Sequence, residues 1–289
     1  MSTSNEVEHD EIQNIYRMWS EESKKWTGLV LLSRNRGQRV PVDGSNHRYT
    51  KTLVNIFIFS QITKSRIIGF LCGGSLISSR WILTAGYCLA TALFNTTTTT
   101  DMRILLGEHT IIDETKITKE FNVDLIDVHP SFDMPLKWKQ STGDIAMVRL
   151  AEAVDLSVYT PVCLPATNQD FSGLQATVTG WGSNGHSNSH VLQELAVEIM
   201  SWWSCELRMI HYRWLDMSEN KLCALALGIN SCNEDTGCPV IVKNELNNNF
   251  ILVGIVSHGT LEKPTYGMFD PNIVLFTEVS SKLKILYDC

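Results

Sequence analysis

The chain has 289 residues, with 24 Lys and Arg against 31 Asp and Glu, so its formal net charge is −7. This mildly acidic, dispersed balance argues against a protein that binds nucleic acid through a basic face. Hydrophobic residues make up 44% of the chain, which is enough for a sizeable core and too many for a disordered protein. Because the apolar runs are far shorter than the ~20 residues of a membrane helix, we expect no membrane span.

Residues 1–39 form a charged leader. Its apolar residues Ile12, Ile15, Tyr16 and Trp19 recur at helical spacing, which predicts one short amphipathic helix. The favoured interpretation of the whole segment is nevertheless a poorly ordered leader, and a docked helix is the alternative. The chain opens with neither a basic stretch nor an apolar run, so no signal peptide is visible.

From about residue 50 the sequence changes to short β-branched or apolar runs separated by turn residues. This texture is typical of an all-β barrel or sandwich. Asn95 lies in a threonine-rich loop and is the predicted N-glycosylation site. At the carboxyl end, Val279, Leu283 and Leu286 fall on one face of a predicted helix. The predicted strands are Leu53–Ser60, Arg103–Leu106, Ile145–Leu150, Thr177–Gly180, Phe250–Val256 and Ile273–Phe276.

Eight cysteines are scattered from position 72 to position 289. An even number at wide spacing fits disulfides and therefore an oxidising compartment. We predict an extracellular, secreted protein. The missing signal peptide leaves two alternatives, that the true start lies upstream or that the prediction of export is wrong.

The segment from Phe70 to Cys88, Phe-Leu-Cys-Gly-Gly-Ser-Leu-Ile-Ser-Ser-Arg-Trp-Ile-Leu-Thr-Ala-Gly-Tyr-Cys, closely resembles a signature of the trypsin-like serine proteases. This resemblance implies an all-β fold of two antiparallel barrels with the active cleft between them and a C-terminal helix. It covers residues 40–289, which we predict to be one protease-like domain. Further matching segments are Gly143–Leu150, Val162–Pro165, Thr179–Gly182 and Asp235–Pro239.

Catalysis in this family needs a nucleophilic Ser, a His that accepts its proton and a buried Asp that orients the His. By resemblance, Asp144 matches the carboxylate, whereas Tyr87 stands at the base position and Thr236 at the nucleophile position. A tyrosine with a pKa near 10 is a poor base at neutral pH. The extra methyl of a threonine also crowds its hydroxyl. The resemblance therefore implies a degenerate triad and a non-catalytic homologue.

Other parts of the family's site are also altered. Glu234 stands where the family has a glycine of the oxyanion hole, and Asn230 occupies the specificity position of the pocket. In the family, a Ser-Trp-Gly segment forms one wall of this pocket. In this chain, Ser257-His258-Gly259 stands in its place. Rescue of catalysis by His258 at the edge of the cleft is the alternative to complete inactivity.

Family members are activated by a cut that frees an N-terminal ammonium group, which pairs with the Asp before the nucleophile. The equivalent bond is Arg39–Val40 and the acceptor would be Asp235. The family's Val-Gly-Gly after the cut is replaced by Pro41, Val42 and Asp43, so the glycines that let the new terminus swing inward are missing. Whether the bond is cut is left open.

The resemblance also implies two disulfides of the family, and the other four cysteines need a different arrangement. We predict that a bridge across five residues locks the loop around Thr236. Cys163 is predicted to pair with the last cysteine, or else with another chain. The predicted pairs are Cys72–Cys88, Cys205–Cys223, Cys232–Cys238 and Cys163–Cys289.

No metal or cofactor is predicted. Glu108 and Glu120 bracket a loop that binds calcium in some relatives, so a structural calcium ion there is the alternative. His186 and His190 have a ligand-like spacing, but they lie in a loop of Gly, Ser and Asn, which favours a solvated loop.

The leading hypothesis is a secreted, catalytically inactive homologue that binds a protein partner, such as an active protease or its substrate. It would act as a cofactor, decoy or regulator in an extracellular proteolytic cascade. The second hypothesis is a serine-type endopeptidase with weak or atypical activity. The third is a vestigial product without a selected function.

Overall fold

Short apolar runs separated by turn residues form antiparallel strands throughout the part of the chain described by the computed structural model. That part consists of residues 40–41, 53–58, 69–94, 102–110, 119–132, 143–166, 169–181, 191–209, 221–225, 236–244, 249–257 and 273–279. The strands are β1 Val40–Pro41, β2 Leu53–Ile58, β3 Gly69–Leu76, β4 Trp81–Thr84, β5 Met102–Leu106, β6 Glu120–Val128, β7 Ala146–Leu150, β8 Gln175–Gly180, β9 Gln193–Ile199, β10 Lys221–Leu225, β11 Pro239–Lys243, β12 Phe250–Val256 and β13 Ile273–Glu278. The helices are α1 Gly86–Phe94 and α2 Trp202–Met209.

The first barrel closes in the order β2-β3-β4-β7-β6-β5. Its ring is completed by antiparallel pairing of β2 with β5, in which Ile56 lies opposite Ile104. Closure removes the exposed sheet edges that would otherwise pair with other chains. Leu76, Ile82 and Phe121 fill the interior and are fully buried.

The second barrel is a ring of β8, β9, β10, β13, β12 and β11, closed by the pairing of β8 with β9. Along β9, buried residues alternate with more exposed ones, as expected for a strand with one face on a core. The short strand β1 adds to the edge of β9, where Val40 lies opposite Glu194.

The two barrels pack against each other through apolar side chains of the second barrel. Ile241, Leu252 and Ile255 belong to the same buried cluster as the interior of the first barrel. The segment that connects the barrels is hydrogen-bonded to β12, because the Cys163 N–H donates to the Phe250 carbonyl at 3.0 Å. The shared apolar cluster and the connecting segment therefore both hold the two barrels together. The candidate site lies at the interface between the barrels.

The predicted fold class is confirmed, and each of the six predicted strands is present with its ends shifted by at most a few residues. Seven strands were not predicted: β1, β3, β4, β6, β9, β10 and β11. Of these, β4 has four buried residues and no alternation with polar neighbours. Sequence periodicity also missed α1 and α2, which have only nine and eight residues. The predicted leader helix, most of the C-terminal helix and the glycosylation site Asn95 lie outside the described residues.

Candidate active site

Asp144 is completely buried between the barrels, and both of its carboxylate oxygens accept hydrogen bonds. Oδ1 accepts from the backbone N–H of Tyr87 at 2.7 Å, and Oδ2 accepts a short hydrogen bond from the Ser257 hydroxyl. A buried carboxylate is costly unless donors replace its water. We call Tyr87, Asp144 and Ser257 the Asp144 corner. Its two donors come from the two barrels and replace the water that the Asp144 carboxylate loses on burial.

The position of Tyr87 follows from the start of helix α1. The helix begins at Gly86, and the N–H groups of a first turn have no partner within the helix. The Asp144 carboxylate accepts one of them, and the helix dipole favours its negative charge. A Cβ on Gly86 would lie 2.9 Å from the ring of Phe132, so the glycine permits this close packing. Tyr87 thus contributes its backbone to the corner.

The backbone around Thr236 is held by hydrogen bonds to both barrels. The Thr236 carbonyl accepts from the Gly73 N–H at 2.9 Å, and the Gly237 N–H donates to the Val256 carbonyl at 2.7 Å. Gly237 has a φ of +85°, and a Cβ there would lie 2.2 Å from the Gly73 carbonyl oxygen. Only glycine fits this position. We call Gly73, Thr236 and Gly237 the Thr236 corner.

The two corners adjoin each other. Val256, which binds Gly237, directly precedes Ser257 of the Asp144 corner. The Thr84 hydroxyl donates to the Gly73 carbonyl at 2.8 Å, and Thr84 lies just before α1. The structure therefore brings together four predicted site residues, Tyr87, Asp144, Thr236 and Ser257. The other predicted site residues lie outside the described part of the chain: Arg39, Asn230, Glu234, Asp235, His258 and Gly259.

Both corners lie in a stretch of the chain that matches a known protein family. The sequence model of the Trypsin family matches residues 43–283. The chain belongs to the trypsin family. Among described residues, no helix is long and apolar enough to cross a membrane.

Relatives in this family include several venom proteins. The chain is 32% identical over 199 residues to "Venom serine protease" of Polistes dominula, with 66% of this chain and 68% of that protein aligned. It is 29% identical to "Venom serine protease 34" of Apis mellifera, over 73% of this chain and 51% of that protein. It is 28% identical to "Venom peptide isomerase heavy chain" of Agelenopsis aperta, over 69% of this chain and 81% of that protein.

Two disulfides that the family resemblance implied are confirmed, Cys72–Cys88 and Cys205–Cys223. The first joins β3 to α1 and so fixes the helix that carries Tyr87. Cys163 is also disulfide-bonded, with a partner outside the described residues. The pair Cys163–Cys289 therefore stays a prediction.

The predicted pair Cys232–Cys238 is wrong, because Cys238 carries a buried thiol. Its side chain points into the interface between the barrels, where a Cβ on Gly73 would lie 2.2 Å from the sulfur. The bare Cα of Gly73 makes room for this sulfur. The sequence spacing showed only that the two cysteines were within reach, and the direction of the side chain was decided by packing.

The predicted activation cut stays a prediction, since Arg39 and Asp235 lie outside the described residues. Val40 itself is paired with Glu194 across β1 and β9. Strand β9 is separated by β8 from β11, the strand that follows Thr236. In this structure Val40 is therefore held at the edge of the second barrel.

The alternative calcium site is likewise untested. Glu108 is buried and Glu120 is exposed, and residues 111–118 between them are not described, nor are His186 and His190. Within the described ranges, no group of three or more His, Cys, Asp and Glu residues is placed to hold a metal ion.

Gly73, Thr84 and Gly237 are the positioning residues that sequence reasoning missed. All three lie in the segments that resemble the family, Cys-Gly-Gly-Ser, Leu-Thr-Ala and Thr-Gly-Cys-Pro. The glycines were the available signal, because a glycine beside a predicted nucleophile often marks a positive φ or a close backbone approach.

Proposed function

We propose that this chain is a non-catalytic member of the trypsin family that acts by binding proteins. The observation that carries the proposal is Tyr87 at the position of the general base. A tyrosine phenol is a hydrogen-bond donor and not a general base, so it cannot take a proton from a hydroxyl as the family's histidine does. The buried carboxylate of Asp144 binds the Tyr87 backbone N–H and the Ser257 hydroxyl, so it serves as a structural acceptor without an imidazole.

The nucleophile side supports the same proposal. Thr236 keeps a hydroxyl, but a threonine needs an adjacent base to react. Glu234 would bring a carboxylate close to a developing oxyanion, where catalysis needs hydrogen-bond donors. Loss of triad function in such enzymes costs roughly 10⁶ in turnover, or about 8 kcal/mol.

The biological setting that we propose is extracellular. The disulfides Cys72–Cys88 and Cys205–Cys223 are of the kind that persists in oxidising compartments, and two of the relatives are named as venom serine proteases. There the chain would bind an active protease or its substrate and act as a cofactor, decoy or regulator of a proteolytic cascade. The cleft between the barrels, with Asn230 and Thr236 in its wall, would hold the partner's peptide segment.

The second candidate is a serine-type endopeptidase with weak or atypical activity. It is favoured by the Thr236 corner, in which the backbone of Thr236 and Gly237 is hydrogen-bonded to both barrels. One relative is named as a venom peptide isomerase heavy chain, and this name refers to an activity other than proteolysis. In this case the Thr236 hydroxyl would itself react.

A covalent probe distinguishes the two candidates. The chain cut after Arg39 is incubated with an arginyl diphenyl phosphonate and analysed by intact-mass spectrometry, with active trypsin as the positive control. We expect no adduct on the wild type or on Thr236→Ala. An adduct that forms on the wild type and is lost in Thr236→Ala would overturn the proposal in favour of the enzyme.

A further inference from the structure

Helix α2 carries apolar side chains on the side that faces away from its barrel. Cys205 points inward, is fully buried and is bonded to Cys223. Trp203 and Leu207 lie four residues apart on the outer side, and their side chains are 74% and 67% exposed. A surface helix normally keeps its outer face polar, so a large exposed aromatic and aliphatic pair indicates an interaction site.

A cavity of about 250 Å³ lies beside the inner edge of the same helix. Trp202 and Phe171 supply apolar walls, and Asp170 supplies a carboxylate. Around the helix, Glu206 falls between Trp202 and Trp203. The cavity and the exposed pair are therefore one continuous surface, which we call the α2 surface: Asp170, Phe171, Trp202, Trp203, Glu206 and Leu207.

The charge that this surface offers to a partner is negative. Asp170 and Glu206 are exposed, and Asp170 accepts a 2.8 Å hydrogen bond from the Ser172 N–H. The hydrogen bonds from the Ser172 hydroxyl and N–H lower the pKa of Asp170, so its carboxylate is ionised at neutral pH. Lys221 and Glu278 also line the cavity and carry opposite charges, and these two residues and Arg208 take part in interactions of their own.

We propose that the α2 surface docks a segment of a partner protein that presents an arginine beside apolar side chains. A guanidinium stacks on an indole and pairs with a carboxylate through two parallel hydrogen bonds. Trp202 and Asp170 line the same cavity and offer both contacts. The apolar neighbours of the arginine would cover Trp203 and Leu207. A purely apolar segment would desolvate Asp170 without compensation, and a lysine would lose the planar stacking.

The α2 surface is separate from the Asp144 and Thr236 corners, so the proposal does not depend on whether the cleft is catalytic. It predicts a second contact area for a protein partner on the outside of the second barrel. A result from the phosphonate probe therefore neither supports nor contradicts it.

The first test is titration of the full chain, labelled with ¹⁵N at the indole nitrogens, with N-acetyl-Leu-Arg-amide. The signals of Trp202 and Trp203 are assigned with Trp→Phe variants. We expect both signals to shift at millimolar peptide, and the neutral isostere N-acetyl-Leu-citrulline-amide to bind about five-fold more weakly. Asp170→Asn should remove this preference. Asp124→Asn, which alters an exposed carboxylate of the first barrel paired with Arg149, should retain it.

The second test uses Trp203→Ser with Leu207→Ser. We expect weaker binding of the arginine peptide with an unchanged melting temperature, because Trp203 and Leu207 are both largely exposed. A fall in melting temperature would mean that this pair is covered within the protein and would overturn the proposal. Equal binding of the citrulline peptide, or unshifted indole signals, would overturn it too.

Discussion

The Asp144 corner and the Thr236 corner are held in place by different means. The Asp144 corner depends on one side chain, whose carboxylate accepts hydrogen bonds from Tyr87 and Ser257. The Thr236 corner depends on backbone hydrogen bonds and on the positive φ of Gly237. Tyr87 and Thr236 both take part in these corners through their backbone. These backbone contributions do not by themselves require a particular side chain at position 87 or 236.

The largest effect is expected from Gly237→Ala, which breaks the Thr236 corner. The new Cβ would lie 2.2 Å from the Gly73 carbonyl oxygen at a φ of +85°. Strain and overlap together should lower the free energy of unfolding by about 4 kcal/mol, measured by urea denaturation. Gly173→Ala is the matched control, because Gly173 has a similar φ of +79° and no atom within 4 Å of the new Cβ. The control should cost only about 1 kcal/mol, and equal losses in the two variants would contradict the role of close contact.

Asp144→Ala should have the next largest effect, because it leaves the Tyr87 N–H and the Ser257 hydroxyl buried without their acceptor. We expect a loss of about 3 kcal/mol in the free energy of unfolding. Thr236→Ala removes a side chain from a corner that is held by backbone, and it should cost about 1 kcal/mol. If Thr236→Ala were as destabilising as Asp144→Ala, the contrast between the two corners would be wrong.

A third experiment concerns Cys238, which packs over Gly73 beneath the Thr236 corner. Its thiol is completely buried, so iodoacetamide should leave it unmodified in the native protein. After unfolding in urea without reductant, the peptide that contains Cys238 should be alkylated. Mass spectrometry after proteolytic digestion measures both states. Recovery of that peptide as a disulfide with Cys232 would contradict the structure and restore the predicted bridge.

The smallest effect is a pH-dependent one at Glu194, opposite Val40 in the pairing of β1 with β9. Burial raises the pKa of Glu194, because the carboxylate loses water. The neutral form is thus favoured in the folded chain, and ionisation with rising pH lowers stability. Glu194→Gln should be slightly more stable than wild type at about pH 7 and equal to it below about pH 4, where glutamate is protonated in both states. Urea midpoints at the two pH values measure this, and a larger gain at the lower pH would reverse the assigned sign.

Sequence reasoning succeeded where a residue type or a local run carries the information. The strand Phe250–Val256 was predicted with its observed bounds, since it is a continuous apolar run between turn residues. The residues Tyr87, Asp144 and Thr236 were placed by the motifs around them. It failed for Cys238, where spacing allowed a disulfide, and for Gly73, whose role is to leave space for atoms that are distant in the sequence.

The sequence by itself determined the family, the all-β class and two disulfides, because local motifs indicate each of them. Only the tertiary structure decided how the buried Asp144 is satisfied, since its donors come from α1 in one barrel and Ser257 in the other. The same holds for the α2 surface. Whether Trp203 and Leu207 face a core or the solvent depends on which side of α2 packs on the second barrel, and helical periodicity alone does not say which side that is.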